Sequence, residues 1–158
     1  LSHGYDRAIS RRLRALPAAL ALIALVSGCG EDDPGVPVAC DTSAQAVQTA
    51  LKRAPGAVRL DGVRLSDCFT RAADPAQIQQ VGGTFVDAAE ALADRMRKAP
   101  RSQAAVELGY LIGAVHRGAG NTQGIHYETV RRIDQVLVGL DRRSPEFARG
   151  ERAGMRSG

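Results

Sequence analysis

The Asp74-Pro75 pair, followed by apolar residues three and four apart, is the feature that most constrains this chain. Proline has no N–H to leave unpaired in the first turn of a helix, and its φ is already helical. Asp at the cap with Pro behind it therefore marks a helix start. From there Ile78, Val81, Phe85, Ala88, Ala89, Leu92 and Met96 recur at helical spacing until about Lys98, just before Pro100. A helix with one such stripe must bury it, so the rest of the chain has to supply a partner. Gly82-Gly83 lies inside the stripe and costs about 1 kcal/mol per residue relative to alanine. That pair points to a kink or to the close approach of another helix.

Two further helices are predicted downstream. Ser102 caps one that runs to about Arg117 with Ala104, Ala105, Leu108, Leu111, Ile112 and Val115 inward. Its Gly109 and Gly113 are four apart, a spacing that drives helix pairing in lipid. On a helix that also carries Glu107, His116 and Arg117 it reads as room for a neighbouring helix. The other begins near Thr122 or Gln123 and runs to about Leu140, with Ile125, Val130, Ile133, Val136, Leu137 and Leu140 inward and Arg131, Arg132 and Asp134 toward solvent.

Upstream, Asp41 or Thr42 can cap a shorter helix bearing Ala44, Val47, Ala50 and Leu51, stopped by Pro55-Gly56. Residues 57–65 alternate around Asp61-Gly62, a hairpin signal, but each arm is short enough for only a tiny two-stranded ribbon. Ser66 can cap a short helix containing Cys68. The predicted fold is all-α, a small helical bundle of three long helices between residues 75 and 140 plus a shorter N-terminal helix and an extended segment. Residues 141–158 turn to Arg, Gly, Ser and Glu without apolar periodicity and read as a disordered tail.

The N-terminal stretch carries a different kind of information. Arg11-Arg12-Leu13-Arg14 precedes an apolar run from Ala15 to Val26, interrupted by Pro17. A membrane-spanning helix needs about 20 apolar residues, and this run fits the apolar region of a signal peptide instead. The residues Val26-Ser27-Gly28-Cys29 resemble the lipobox of bacterial lipoproteins. The resemblance covers only this region. It implies cleavage after Gly28, lipidation of the Cys29 thiol, export, and anchoring to the bacterial membrane. The chain then divides into a lipoprotein signal peptide (1–28), a flexible acidic, proline-interrupted linker (29–39), a helical domain (40–140) and the tail (141–158).

Cleavage changes the charge. Four arginines and one aspartate precede Cys29, so of 21 basic and 17 acidic residues the mature chain keeps 17 and 16. A nearly neutral domain with three Phe, three Tyr and no Trp offers neither the phosphate-neutralising charge nor the stacking platforms of a nucleic-acid binder. Export also leaves Cys40 and Cys68 as an even pair, expected to form a disulfide that ties down the extended segment. Two buried free thiols are the alternative.

One constellation could carry chemistry. The loop Gly118 to Gly124 is flanked by His116 on one side and by His126, Tyr127 and Glu128 on the other. An antiparallel helix pair would bring both histidines to one end. Glycine amides could cradle an anion, and His116 and His126 with Glu128 are weak candidates for a metal site, lacking close zinc spacing. A plain helix–helix turn, capped by Asn121 or Thr122, needs no ligand. Catalytic residues and cofactors are not indicated by any motif, and the sequence leaves enzymatic activity undecided while giving it little support. The functional expectation is a lipid-anchored cell-envelope module that interacts with the membrane and another envelope protein in a structural role. A small-molecule-binding or sensory lipoprotein is the alternative.

Overall fold

The structure, a computed structural model, describes residues 35–70, 75–120 and 124–158. The predicted signal peptide, Cys29, most of the predicted linker, the predicted Asp74 cap and Asn121 to Gln123 lie outside the described residues. The described residues are mostly helical with one two-stranded ribbon. Among them no helix is long and apolar enough to cross a membrane.

The fold begins earlier than Cys40. Val36 and Ala39, placed in the linker by their composition, pack against the core, and the Gln80 side chain donates to Asp41 at 2.6 Å. A 3₁₀ turn, Val38–Cys40, leads to helix α1, Ala44–Leu51, whose cap is Ser43 rather than Asp41 or Thr42. The Ser43 hydroxyl accepts from the Ala46 amide at 3.2 Å, satisfying one of the amides left open at a helix start. Val47 and Leu51 are buried.

The hairpin forms at the expected minimal size. Strands β1, Arg59–Leu60, and β2, Val63–Arg64, pair antiparallel with Leu60 opposite Val63. Asp61 and Gly62 both take positive φ, 43° and 87°, the combination that matches a two-residue turn to strand twist. Helix α2, Asp67–Thr70, follows and carries Cys68. Cys40 and Cys68 are disulfide-bonded with Cα atoms 5.7 Å apart, and both are buried. Beside the bridge Phe69 meets Phe85 edge to face at 4.9 Å.

Helix α3, Pro75–Lys98, buries the whole predicted stripe, with Val86 and Ala93 added. The Gly82-Gly83 pair resolves into two roles. A Cβ on Gly82 would stand 2.7 Å from the Thr129 hydroxyl, whereas one on Gly83 would meet nothing within 4 Å. Gly82 thus admits the next-but-one helix.

Helix α4, Gln103–Ala119, is central. Every residue from Ala104 to Val115 is buried, including Glu107, and the helix packs against α1, α2, α3 and the two helices that follow. A helix enclosed all round needs small residues where partners crowd it. Helix α5, Ile125–Val136, is shorter than expected because Gly139 adopts φ 77° and turns the chain out of helix. Ile133 and Leu137 are buried; Val130, Val136 and Leu140 pack on the core at its margin.

The expectation of a disordered C-terminal tail is corrected. Residues 145–157 form α6, Pro145–Ser157, with Phe147, Gly150, Ala153 and Gly154 buried. Ser144 caps it by accepting from the Phe147 amide at 3.4 Å, and Pro145 occupies the first turn. The sequence thus repeats at Ser144-Pro145 the polar-cap-then-proline pattern of Asp74-Pro75. The inward face lacks the large aliphatic residues that signal a core helix because it is built to approach a backbone.

That approach is reciprocal. A Cβ on Gly109 or Gly113 would lie 2.2 Å from the carbonyl oxygen of Phe147 or Glu151; one on Gly150 or Gly154 would lie 2.0 or 2.1 Å from that of Val106 or Tyr110. Each carbonyl therefore faces the Cα of a glycine across the seam, the arrangement of Cα–H···O contacts. Residue numbers rise together on both sides, so α4 and α6 run parallel. Arg117 of α4 donates to the carbonyls of Met155 and Arg156, closing the C-terminal end of α6.

Candidate functional site

The two histidines do not converge. His116, in the last turn of α4, places Nε2 3.1 Å from Oδ1 of Asp134 on α5. Asp134 lies eight residues beyond His126, about 12 Å farther along a helix. The end of α4 is therefore beside the second half of α5 and not beside its start, which corrects the expectation of a closed antiparallel corner. Asp134, read from sequence as solvent-facing, is half-buried.

Glu128, the third candidate metal ligand, is engaged by Arg131 through two hydrogen bonds of 2.9 and 2.8 Å, which hold its carboxyl below the usual range. His126 keeps Nδ1 buried without a hydrogen-bond partner among the described residues, and burial lowers its pKa. No group of three or more metal-ligating side chains occurs among the described residues.

The His116 pair joins three elements electrostatically. The hydrogen bond to Asp134 raises the imidazole pKa, burial opposes it, and the charges of Asp134 and Glu151 raise it further against Arg142. Arg142 Nη2 itself lies 3.8 Å from Glu151 Oε1. A raised folded-state pKa means that protonation favours the fold. The contribution is complete below the ordinary value of 6.5 and fades as pH rises through the folded value. A His116→Gln variant should therefore lose about 0.5–1 kcal/mol relative to wild type in acid and close to nothing in alkali, measured by urea denaturation across pH. A difference independent of pH would remove the charged pair from this role.

Glu107 is the most deeply buried carboxylate among the described residues, 6% exposed. Burial raises its pKa, while Arg95, 3.4 Å away, and Lys52 pull it down. Because Arg95 is about half exposed, the pair bridges α3 and α4 at the edge of the core. A buried carboxylate whose paired cation stands partly in solvent positions helices more than it stabilises them.

Tyr110 ties distant segments together in the core. Its hydroxyl accepts from the Val58 amide at 3.2 Å and lies 3.3 Å from the Ser157 hydroxyl, on a side chain that is fully buried. Ser66 donates to the Gly158 carbonyl. These contacts hold the hairpin region against α4 and α6 and engage each of these hydroxyls.

Two broad depressions mark the surface. One, about 390 Å³, runs between α3 and α5 and is lined by Val86, Glu90, Asp94, Arg97, Arg132 and Gln135 among others. Another, about 480 Å³, lies between α1 and the hairpin, with Thr42, Thr49, Arg53, Arg59 and Asp61 on its walls. Both are open to solvent and carry charges of both signs. In the first, Arg97 is already held by Asp94 at 2.6 Å and by the Val136 carbonyl at 3.4 Å.

Of the residues singled out from sequence, Cys40 and Cys68 come together as expected and Cys29 lies outside the described residues. Sequence reasoning missed Asp134 and Arg117, whose partners are remote in the chain, and the whole of α6. A signal for α6 does exist: Gly150 and Gly154 repeat the spacing of Gly109 and Gly113. No protein-family model, no curated protein and no solved structure matches the chain.

Proposed function

We propose that this chain is a lipid-anchored module of the bacterial cell envelope, held through Cys29 and serving an interaction or structural role rather than a catalytic one. In this reading α3, α4 and α5 are the three long helices of the module and α6 completes it. The observation that supports it is the Cys40–Cys68 disulfide, closed between two buried residues. Disulfides persist in oxidising compartments outside the cytosol, the destination that the lipobox-like Val26-Ser27-Gly28-Cys29 implies. The bridge also fixes the first ordered turn after the linker, which gives a tethered domain a firm point of attachment.

The small-molecule alternative calls for an enclosed apolar pocket of roughly 300 Å³ or more with a few converging polar groups. The two depressions described above are open to solvent and charged and suit that role poorly, which favours the interaction reading.

Metabolic labelling with a clickable fatty acid tests the anchor. The wild-type chain, expressed in a bacterium with lipoprotein processing, should incorporate label and lose it entirely in a Cys29→Ser variant. Absence of label in correctly exported wild type would end the proposal.

A further inference from the structure

The outer face of α6 is a line of arginines. Arg149, Arg152 and Arg156 are three and four apart, so at 100° per residue they share one side of the helix. That side is turned away from Gly150 and Gly154, which are pressed against α4. All three are exposed and have no ion-pair or hydrogen-bond partner for their side chains among the described residues. Elsewhere the exposed Arg97 and Arg131 and the half-buried Arg64 each meet a carboxylate three residues away. On α6 the acidic residues are turned aside. Glu151 faces Arg142, and Glu146 has one carboxylate oxygen buried.

Like charges at these spacings repel and oppose helix formation. An anionic partner that binds all three at once would remove the repulsion. Guanidinium groups match phosphate oxygens in a planar fork. The line is convex, on the outside of a docked helix, so it suits a flat surface better than a cleft or an inserted peptide. Met155, 47% exposed, emerges next to Arg152 and Arg156 and adds an apolar group that can enter a headgroup region.

We propose that this face of α6 lies against an anionic phospholipid surface, with Arg149, Arg152 and Arg156 on headgroup phosphates and Met155 at the interface. The inference deepens the membrane-anchored reading, on which it rests, by naming the side of the domain that meets the bilayer. A basic side chain near an anionic surface contributes about fivefold in partition, so three give roughly 100-fold. A lipid anchor would keep the local concentration of headgroups high, and contacts of this strength then suffice to fix orientation.

The test uses residues 29–158, the chain left after cleavage, carrying Cys29→Ser, so that neither an acyl group nor the basic, apolar residues 1–28 contribute and the outcome is independent of fatty-acid labelling. Its sedimentation with vesicles of roughly 30% phosphatidylglycerol in phosphatidylcholine is compared with that of the same chain bearing Arg149→Gln, Arg152→Gln and Arg156→Gln. A second triple variant, Arg53→Gln, Lys98→Gln and Arg101→Gln, removes equal charge from exposed positions elsewhere. The α6 variant should bind roughly 100-fold more weakly, the control variant no more than about fivefold more weakly. All three chains should converge on pure phosphatidylcholine and at about 1 M salt, where screening acts within about 3 Å. Thermal melting confirms that the variants fold. Equal partition of wild type and α6 variant, an equal loss in the control, or tighter binding to polyglutamate or DNA than to the anionic vesicles would each overturn the proposal.

Discussion

Replacing Gly150 and Gly154 together with alanine is expected to destabilise the domain by up to about 4 kcal/mol or to detach α6 altogether. Alanine in a helix interior is worth about 1 kcal/mol more than glycine at each position, so propensity alone predicts stabilisation. Packing reverses the sign. The added methyls would fall 2.0 and 2.1 Å from the carbonyl oxygens of Val106 and Tyr110, and a backbone carbonyl in a buried helix cannot rotate aside as a side-chain tip can. Overpacking of this kind costs about 1–3 kcal/mol per site and occasionally more, and here it would push α4 and α6 apart along their whole seam. Urea denaturation gives the free energy, and limited trypsin digestion at Arg149 and Arg152 reports release of α6. The contrast is Gly83→Ala on α3, where a Cβ meets open space and a gain of up to about 1 kcal/mol should appear. A double alanine variant as stable as wild type would contradict the seam.

Removing the disulfide is the second large effect. Replacing Cys40 and Cys68 together with alanine should cost about 3.5 kcal/mol, the chain-entropy value for bridging residues 28 apart. Against a net stability of about 5–15 kcal/mol that is a substantial share. The melting temperature should fall by roughly 10 °C for a domain of this size. Most of the loss is expected between α1 and α2, because the bridge is the covalent closure of that segment. Scanning calorimetry of wild type with and without reductant should reproduce the fall, and alkylation of two thiols without prior reduction would show that the bridge is not formed.

Elements whose burial uses large side chains are legible in the sequence. The stripe from Ile78 to Met96 is α3 nearly to the residue, and the two-residue turn at Asp61-Gly62 forms where both positions tolerate positive φ. Where burial uses the absence of a side chain, hydropathy is silent. Gly150, Ala153 and Gly154 face the core as firmly as any leucine, yet in composition they resemble a solvated tail. Only their spacing, matched to Gly109 and Gly113, records the partner. The polar pairs are illegible for another reason. His116 with Asp134 and Arg117 with the α6 carbonyls are set by how three helices stack, and nothing local to either residue encodes it. The early end of α5 is hidden because Leu137 and Leu140 continue the apolar pattern across Gly139, whose backbone has already left the helix.

The disulfide also determines how the domain responds to tension. A pull on the chain ahead of Val36 first loads the contacts of Val36 and Ala39 with the core, then reaches Cys40 and crosses the covalent bridge to Cys68. The intervening residues, which include α1 and the hairpin, stand outside the line of force. Roughly 90 Å of chain is thereby locked against extension, and the load passes to α2. A domain tethered from its N-terminal side would be strained there while its first helix and hairpin stayed slack.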